Sequence, residues 1–385
     1  MGSKIHKINH LVMYMQNKQK TYAYPRNRLF RIPARALGRL ILPLAFRLKI
    51  NGKENFPKNG PLLVVANHVA VMEAVLMTVY TPWLVELIGG SDIPHEKTTD
   101  WIINAYSYIP VKRGHTDRSA LKNALGVLAQ NGVIGLFPEG GTWAAGRMRP
   151  QTGVAWLSYQ GNAPVLPIGF GGLAGALGDA FRLKRPKLTM NIGKVIPADS
   201  IPPDRKRKEY LEEYAIKILD SINDLVPLED RQKTTIRDEC FELETAVKHT
   251  TTWQNPPANL DIIHRSGLAR FLHSPVILKV YKKNLNRDIR AIQDIAQTRN
   301  PEEIANTLIQ VLDYLDNENP YFFTYRFGGP EADNMRKGIE ELLKLARWAA
   351  DSNHILKIVP IRRYYSLEKQ REVIQYEQER FENWM

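Results

Sequence analysis

Short apolar runs of strand length alternate with helical segments between residues 61 and 226, and this alternation limits the possible fold most strongly. The runs are rich in Val, Ile and Leu and lie at 61–66, 84–88, 108–114, 133–137, 164–170 and 188–195. The helical segments repeat apolar residues every three or four positions and lie at 72–81, 98–107, 117–130, 154–160 and 205–226. Strands followed by helices at such short intervals predict an α/β sheet with a ligand site at the strand ends.

The strand–helix alternation does not return after Pro227. A helix start at Asn300, with Pro301 in its first turn, leads into one apolar stripe, and a second stripe crosses 335–346. We therefore predict a boundary near residue 227. The predicted segments are a basic, amphipathic N-terminal segment at 1–58, an α/β domain at 59–227 and a mostly helical region of unassigned role at 228–385.

The positive charge of the chain is concentrated at its N-terminal end. The formal net charge is +13, and residues 1–60 carry thirteen Lys and Arg against one acidic residue, Glu54. A basic end on a nearly neutral body predicts a polyanionic partner, either nucleic acid or anionic lipid.

Arginines recur in this basic segment at spacings of three, four and four, which places them on one face of a helix. They are Arg28, Arg31, Arg35 and Arg39. Apolar residues fall on the other side, and Pro33 and Pro43 predict two short helical pieces. The pattern fits an interfacial anchor whose arginines contact anionic lipid, or equally a helix packed on the domain with a solvated arginine face. Nucleic acid is disfavoured because no aromatic residues alternate with the arginines.

No apolar run reaches the roughly 18–20 residues that a membrane-spanning helix needs. The first residues lack a signal-peptide core and a myristoylation pattern. We expect a peripheral protein at the cytoplasmic face of a membrane. The single cysteine, Cys240, excludes an intramolecular disulfide and fits a reducing compartment.

Polar clusters follow three of the predicted strands. Asn67 and His68 follow the first, Lys112 and Arg113 end another, and Glu139 follows the run 133–137. A histidine with the carboxylate of Glu73 nearby can act as a general base. The alternative is a histidine at a helix start with a glutamate in the first turn, which helix electrostatics alone would favour.

Four blocks in order resemble the glycerolipid (lysophospholipid) acyltransferase family, typified by 1-acyl-glycerol-3-phosphate acyltransferases. They are Asn67-His68 with Glu73, then 111–114, 137–140 and 163–168, within a resembling stretch of about residues 40–200. The resemblance implies a mixed, mostly parallel sheet flanked by helices. It also implies acyl transfer from a thioester, acyl-CoA or acyl carrier protein, to the hydroxyl of a lysophospholipid in phospholipid biosynthesis.

By resemblance, His68 is the general base and Glu73 takes the place of the family aspartate that orients it. Arg113 binds the acceptor phosphate, with Lys112 as a weaker candidate, and Glu139 helps to form the acceptor pocket. Gly140 belongs to the same pocket block. The resemblance implies neither a metal nor a cofactor beyond the thioester co-substrate.

The sequence departs from the family pattern at two points. Glu73 is one methylene longer than aspartate, and Gly141-Thr142-Trp143 stands where the family continues with threonine and arginine. Arg147 and Arg149 are the candidates to replace that arginine. These departures leave two alternatives open: another acceptor, such as glycerol-3-phosphate or a phosphate-free lysolipid, or a non-catalytic membrane-binding scaffold.

Overall fold

The computed structural model describes residues 22–69, 71–91, 97–113, 116–139, 151–231, 236–273 and 294–376. Two groups of elements follow one another along the chain. The first comprises α1 (Arg28–Ala45), β1 (Arg47–Asn51), β2 (Leu62–Ala66), α2 (Met72–Tyr80), β3 (Glu86–Gly90), α3 (Lys97–Tyr106), β4 (Ile109–Val111), α4 (Arg118–Leu128), β5 (Val133–Leu136), α5 (Gly153–Gly161), β6 (Val165–Gly171), α6 (Ala176–Phe181), β7 (Lys187–Ile192) and α7 (Arg207–Leu225). The second comprises β8 (Ile236–Lys248), α8 (Arg265–His273), α9 (Pro301–Asp313), α10 (Phe322–Phe327), α11 (Gly329–Asp351), β9 (Ile355–Ser366) and β10 (Arg371–Gln375).

In the described part of the chain, seven strands form one sheet in the order β1-β7-β6-β2-β5-β3-β4. The pairs from β6 through β2, β5 and β3 to β4 are all parallel, and β1 is parallel to β7. Only the described β6–β7 pair is antiparallel. The predicted α/β fold with a mixed, mostly parallel sheet is therefore confirmed.

Strand β2 is the central strand of the sheet, and helices cover both of its faces. Leu63 and Val65 face the apolar cluster that contains residues of α4, α5 and α7. Leu62 and Val64 face the opposite cluster, which contains residues of α1 and α2. A parallel strand buried on both faces is apolar at every position, and this explains the uninterrupted apolar run.

Helix α1 runs unbroken through Pro33 and Pro43, so the prediction of two short helical pieces was wrong. A proline inside a helix removes one backbone hydrogen bond and costs about 3 kcal/mol. Contacts between α1 and the rest of the protein offset this cost. One such contact is between Gly38 and Val79 of α2. The two helices pack so closely there that a Cβ atom on residue 38 would lie only 2.9 Å from the Val79 side chain.

The region after residue 227 contains the predicted helices and also a sheet that the sequence did not predict. Strands β10, β9 and β8 form a three-stranded antiparallel sheet within the described residues. The helices pack against it around a core that includes Leu243, Leu268, Leu308, Leu342 and Leu356. This core is separate from the two apolar clusters of the seven-stranded sheet.

Across the described residues, no helix combines the length and the apolar character needed to cross a membrane.

Candidate active site

The carboxyl ends of β2, β5 and β4 lie at one edge of the sheet, because the strands between them are parallel. His68 lies two residues beyond β2, Glu139 three beyond β5 and Arg113 two beyond β4. The His68 and Glu139 loops touch, since the backbone N–H of His68 donates a hydrogen bond to Glu139 Oε2 at 3.2 Å. The fold thus brings the polar clusters of the sequence to one edge.

The His68 imidazole is held by stacking and faces a carboxylate. Its ring lies parallel to the Phe137 ring, with centroids 4.3 Å apart and planes at 17°. Nδ1 lies 3.8 Å from Glu73 Oε1, which is longer than a hydrogen bond. Glu73 Oε1 instead accepts a hydrogen bond from the backbone N–H of Val69. Glu73 therefore acts on the ring as a nearby buried charge. The other ring nitrogen, Nε2, lies on the side of the ring away from Nδ1.

Asn67 fixes the start of the His68 loop, a role that the sequence did not indicate. Its side-chain nitrogen donates to the Phe170 carbonyl at 3.1 Å, and the Phe170 N–H donates to its side-chain oxygen at 2.8 Å. The side-chain amide thus takes the place of a backbone peptide group and extends the β2–β6 pairing by one residue. The signal in the sequence is a polar residue directly after a buried strand. It does not identify the hydrogen-bond partner, because Phe170 lies in another strand.

Glu139 is completely buried next to the histidine loop. Burial raises the pKa of its carboxyl to about 8, against the lowering effect of the His68 N–H, and the charge of Glu73 raises it further. Near neutral pH this carboxyl is therefore mostly protonated.

Arg113 and Lys112 line the same cavity as His68. Strand β4 is three strand positions from β2, roughly 14 Å across the sheet, so their side chains approach the cavity from its far side. The turn after β4 is fixed by Asp117, which accepts from the Lys112 N–H at 3.0 Å and caps α4 through the N–H groups of Ser119 and Ala120. Arg113 is half-buried, whereas Lys112 is exposed.

The cavity has a volume of about 2280 Å³ and a mostly apolar lining. Pockets for drug-sized ligands occupy roughly 300–1,000 Å³, so this space suits long apolar chains. Its lining comes from several elements, among them Leu29, Leu37 and Ile41 of α1, Val75 of α2, Trp101 of α3, Leu121 of α4 and Trp156 of α5. Glu139 is not among the lining residues.

Three of the predicted site residues, Gly140, Arg147 and Arg149, lie outside the described residues. Within the described ranges, no group of three or more His, Cys, Asp or Glu side chains is placed to hold a metal ion.

The four arginines of α1 differ in exposure, and the most buried of them corrects the predicted lipid contact. Arg31 is completely buried, and its guanidinium binds the buried Glu86 carboxylate, with Nη1 2.5 Å from Oε1. Arg35 donates to the Thr81 carbonyl, and Arg39 Nε donates to the Val79 carbonyl at 3.0 Å. The prediction that Arg31 binds the membrane was therefore wrong. Arg35 is half-buried and Arg39 is exposed, and the contact predicted for them stays a prediction. Arg28 is exposed.

The Glu86 carboxylate is also bound by Arg26, whose Nη2 lies 2.8 Å from Oε2. Burial alone would raise the pKa of Glu86, but hydrogen bonds from Arg31 and Arg26 hold it below its ordinary value. This charged cluster fastens α1 to the amino end of β3.

The apolar side of α1 is the side that faces outward. Its exposed apolar side chains are Leu29, Ile32, Leu37, Leu40, Ile41 and Leu44. Leu29 is 96% exposed and Leu44 is 73% exposed. Monomeric proteins rarely expose a continuous apolar surface of this kind without a partner.

Comparison with known proteins places residues 47–171 in a family described as Acyltransferase. These residues include β1 to β6 and all three loops of the site. The curated 1-acyl-sn-glycerol-3-phosphate acyltransferase of Bacillus subtilis (strain 168) is 22% identical over 145 residues, covering 37% of this chain and 72% of that protein. The family match and this relative support a glycerolipid acyltransferase domain in the chain.

These similarities support an O-acyltransferase, as the resemblance implied. A solved structure is also similar: the 1-acyl-sn-glycerophosphate (LPA) acyltransferase, PlsC, from Thermotoga maritima. It is 17% identical, with a TM-score of 0.37, covering 55% of this chain and 88% of that one.

Proposed function

We propose that the acyltransferase domain transfers an acyl chain from a thioester to the hydroxyl of a lysophospholipid such as 1-acyl-glycerol-3-phosphate. The observation that carries this proposal is that His68 and Arg113 line one large apolar cavity. A base, a cation and room for long chains are together what a phosphate-bearing lysolipid requires. The similarity to the Bacillus subtilis enzyme supports the same acceptor class.

In the proposed reaction, His68 Nε2 takes the proton of the acceptor hydroxyl as its oxygen attacks the thioester carbonyl. The carbon–sulfur bond breaks, and the leaving thiolate takes the proton from the imidazolium. Glu73, 3.8 Å from Nδ1 and buried, stabilises the imidazolium that forms between these steps. The products are the diacyl lipid and a free thiol.

Arg113 is the proposed ligand of the acceptor phosphate, because its forked guanidinium matches two phosphate oxygens. Glu139 is proposed to help shape the acceptor side of the site from behind the His68 loop. Its raised pKa suits this role, since a protonated carboxyl adds no second negative charge beside Glu73. An anionic acceptor is then not repelled.

The apolar face of α1 is the proposed main membrane contact, because Arg31 is buried. Leu29, Leu37 and Ile41 are exposed and also line the cavity, so the cavity opens beside this face. A lysolipid could then enter from the bilayer without crossing water. The proposed location is peripheral, at the cytoplasmic face, where coenzyme A and acyl carrier protein supply acyl thioesters for phospholipid biosynthesis.

The test is a panel of acceptors supplied in vesicles with one acyl-CoA and one acyl carrier protein thioester. Mass spectrometry should find the diacyl product from lysophosphatidate, with one free thiol released per product. Glycerol-3-phosphate and a phosphate-free lysolipid in the same panel test the alternative that Gly141-Thr142-Trp143 suggests. Preference for one of those acceptors would change the assigned substrate, and no product from any pair would refute acyl transfer to lipids.

A further inference from the structure

The turn after α6 carries two of the most exposed apolar side chains among the described residues. Phe181 is 82% exposed and Leu183 is 88% exposed. Leu177, one helical turn before Phe181, is 50% exposed. We call residues 177–185 the basic-apolar turn.

The backbone conformation at Leu183 is one that leucine rarely adopts. Leu183 has a φ of 60°, in the left-handed region. Its N–H donates to the Ala180 carbonyl at 2.9 Å, and the Lys184 N–H donates to the Asp179 carbonyl at 3.0 Å. These two bonds form the helix end at which glycine is normally found. The left-handed conformation is unfavourable for leucine, and its exposed side chain makes too few contacts within the fold to offset this strain.

The charges around the two apolar side chains are mostly positive. Arg182, Lys184, Arg185 and Lys187 are exposed, and Asp179 is the one acidic residue in 176–187. Asp179 is paired with Lys184 at 2.8 Å. Apolar tips surrounded by cations are complementary to an anionic lipid surface, where the tips enter the acyl region and the cations bind headgroups.

The topology places the basic-apolar turn at the same edge of the sheet as His68. Strand β7 starts at Lys187 and runs antiparallel to β6, so its amino end lies beside the carboxyl end of β6. The carboxyl ends of β6 and β2 lie together, and the Asn67–Phe170 hydrogen bonds join them. The turn therefore opens toward the side from which an acceptor lipid reaches His68.

The turn is also continuous with the apolar face of α1. Arg185 Nη2 donates to the Pro43 carbonyl at 2.8 Å, and Arg47 Nε donates to the Arg185 carbonyl at 3.0 Å. Leu44, the neighbour of Pro43, is 73% exposed. The two apolar surfaces thus meet at the C-terminal end of α1.

We propose that the basic-apolar turn is a second membrane contact, in which Phe181 and Leu183 insert into an anionic bilayer. Together with the adjacent apolar face of α1 it gives the domain one extended surface of attachment, which fixes the catalytic edge against the lipid surface. The inference rests on the proposed function for the choice of a bilayer as the partner.

The direct test is binding of the full chain to vesicles of phosphatidylcholine, with and without phosphatidylserine at roughly a third of the lipid. Leu183→Gly and Phe181→Ser remove the apolar tips. Leu183→Gly also relieves the left-handed strain, so its melting temperature should equal or exceed that of the parent protein. Ile263→Ser is the matched control, because Ile263 is 81% exposed and lies in the region after residue 227.

The expected result is about a tenfold or greater loss of binding to anionic vesicles for each tip variant and no loss for Ile263→Ser. Arg182→Gln with Lys184→Gln should abolish most of the preference for phosphatidylserine. A fluorophore at Leu183→Cys, in a Cys240→Ser background, should shift its emission to the blue on binding, and one at Ile263→Cys should not.

Binding by Leu183→Gly and Phe181→Ser equal to the parent protein would overturn the proposal. A change in oligomeric state on these substitutions, without a change in vesicle binding, would also overturn it and indicate a second copy of the chain as the partner. All variants are tested with and without His68→Ala. Failure of acyl transfer and failure of the membrane contact are then separate results.

Discussion

His68 Nδ1 lies 3.8 Å from Glu73 Oε1, while the same carboxylate oxygen accepts the backbone N–H of Val69. The Phe137 stack, and not a hydrogen bond from the imidazole to Glu73, therefore sets the plane of the imidazole. The carboxylate of the longer glutamate side chain binds the backbone of the His68 loop, and its charge lies beside the imidazole ring. This relationship separates two roles of the carboxylate, orientation and charge.

If the charge of Glu73 is what matters, Glu73→Gln should lower kcat about 10- to 100-fold with little change in the acceptor KM. The glutamine oxygen can still accept from Val69 N–H, so the loop is preserved. Steady-state thiol release checks this. Wild-type kcat in the glutamine variant would contradict the charge role.

Arg113→Ala should raise KM for phosphate-bearing acceptors by about 100-fold, because a charge-assisted, forked contact is lost. A phosphate-free acceptor should be affected less than about threefold. Lys112→Ala is the matched control, as it removes the neighbouring exposed cation. Equal losses with both kinds of acceptor would show that Arg113 does not bind phosphate.

The buried Glu139 should make stability depend on pH. Its pKa is raised from 4.5 to about 8, so between these values the folded protein holds a proton that the unfolded chain releases. The free energy of unfolding should therefore fall as pH rises through this window, by on the order of 3–5 kcal/mol in total.

Glu139→Gln keeps a neutral side chain and should lose this slope. Urea unfolding of both proteins at about pH 5, 7 and 8.5 compares them, and the variant should be relatively more stable at the highest pH. Parallel stability curves for the two proteins would refute the raised pKa.

Arg31→Met should destabilise the protein by about 3–5 kcal/mol, because it leaves the Glu86 carboxylate buried with only the partial support of Arg26. The double variant Arg31→Met/Glu86→Leu should recover much of this loss, since an apolar pair of similar volume replaces the ion pair. Thermal or urea unfolding measures both. A loss below about 1 kcal/mol in the single variant would mean that α1 is held mainly by its apolar contacts.

The seven-stranded sheet was predictable because its central strands are buried on both faces and are apolar throughout. Two helix starts were also predictable. Asp117 begins the predicted segment 117–130 and caps α4, and the predicted start Asn300 caps α9. Both signals are local in sequence.

The remaining features depend on partners distant in sequence. Periodicity shows that the two faces of α1 differ, but not that the arginine face meets Glu86, 55 positions after Arg31. Strand β8 pairs with β9 more than 100 residues later, and this pairing leaves no local sign. The 3.8 Å separation of His68 and Glu73 is a local feature instead, and the sequence did not predict it because it depends on the exact backbone path between them.

The most direct test of the central claim is thiol release by His68→Ala with acyl thioester and lysophosphatidate in vesicles. A base at this position predicts a fall in kcat of about 10²- to 10⁴-fold, with unchanged melting temperature and vesicle binding. His249→Ala, which removes an exposed histidine after residue 227, should keep full activity. Turnover by His68→Ala within about twofold of the parent protein would contradict the assignment of His68 as the general base.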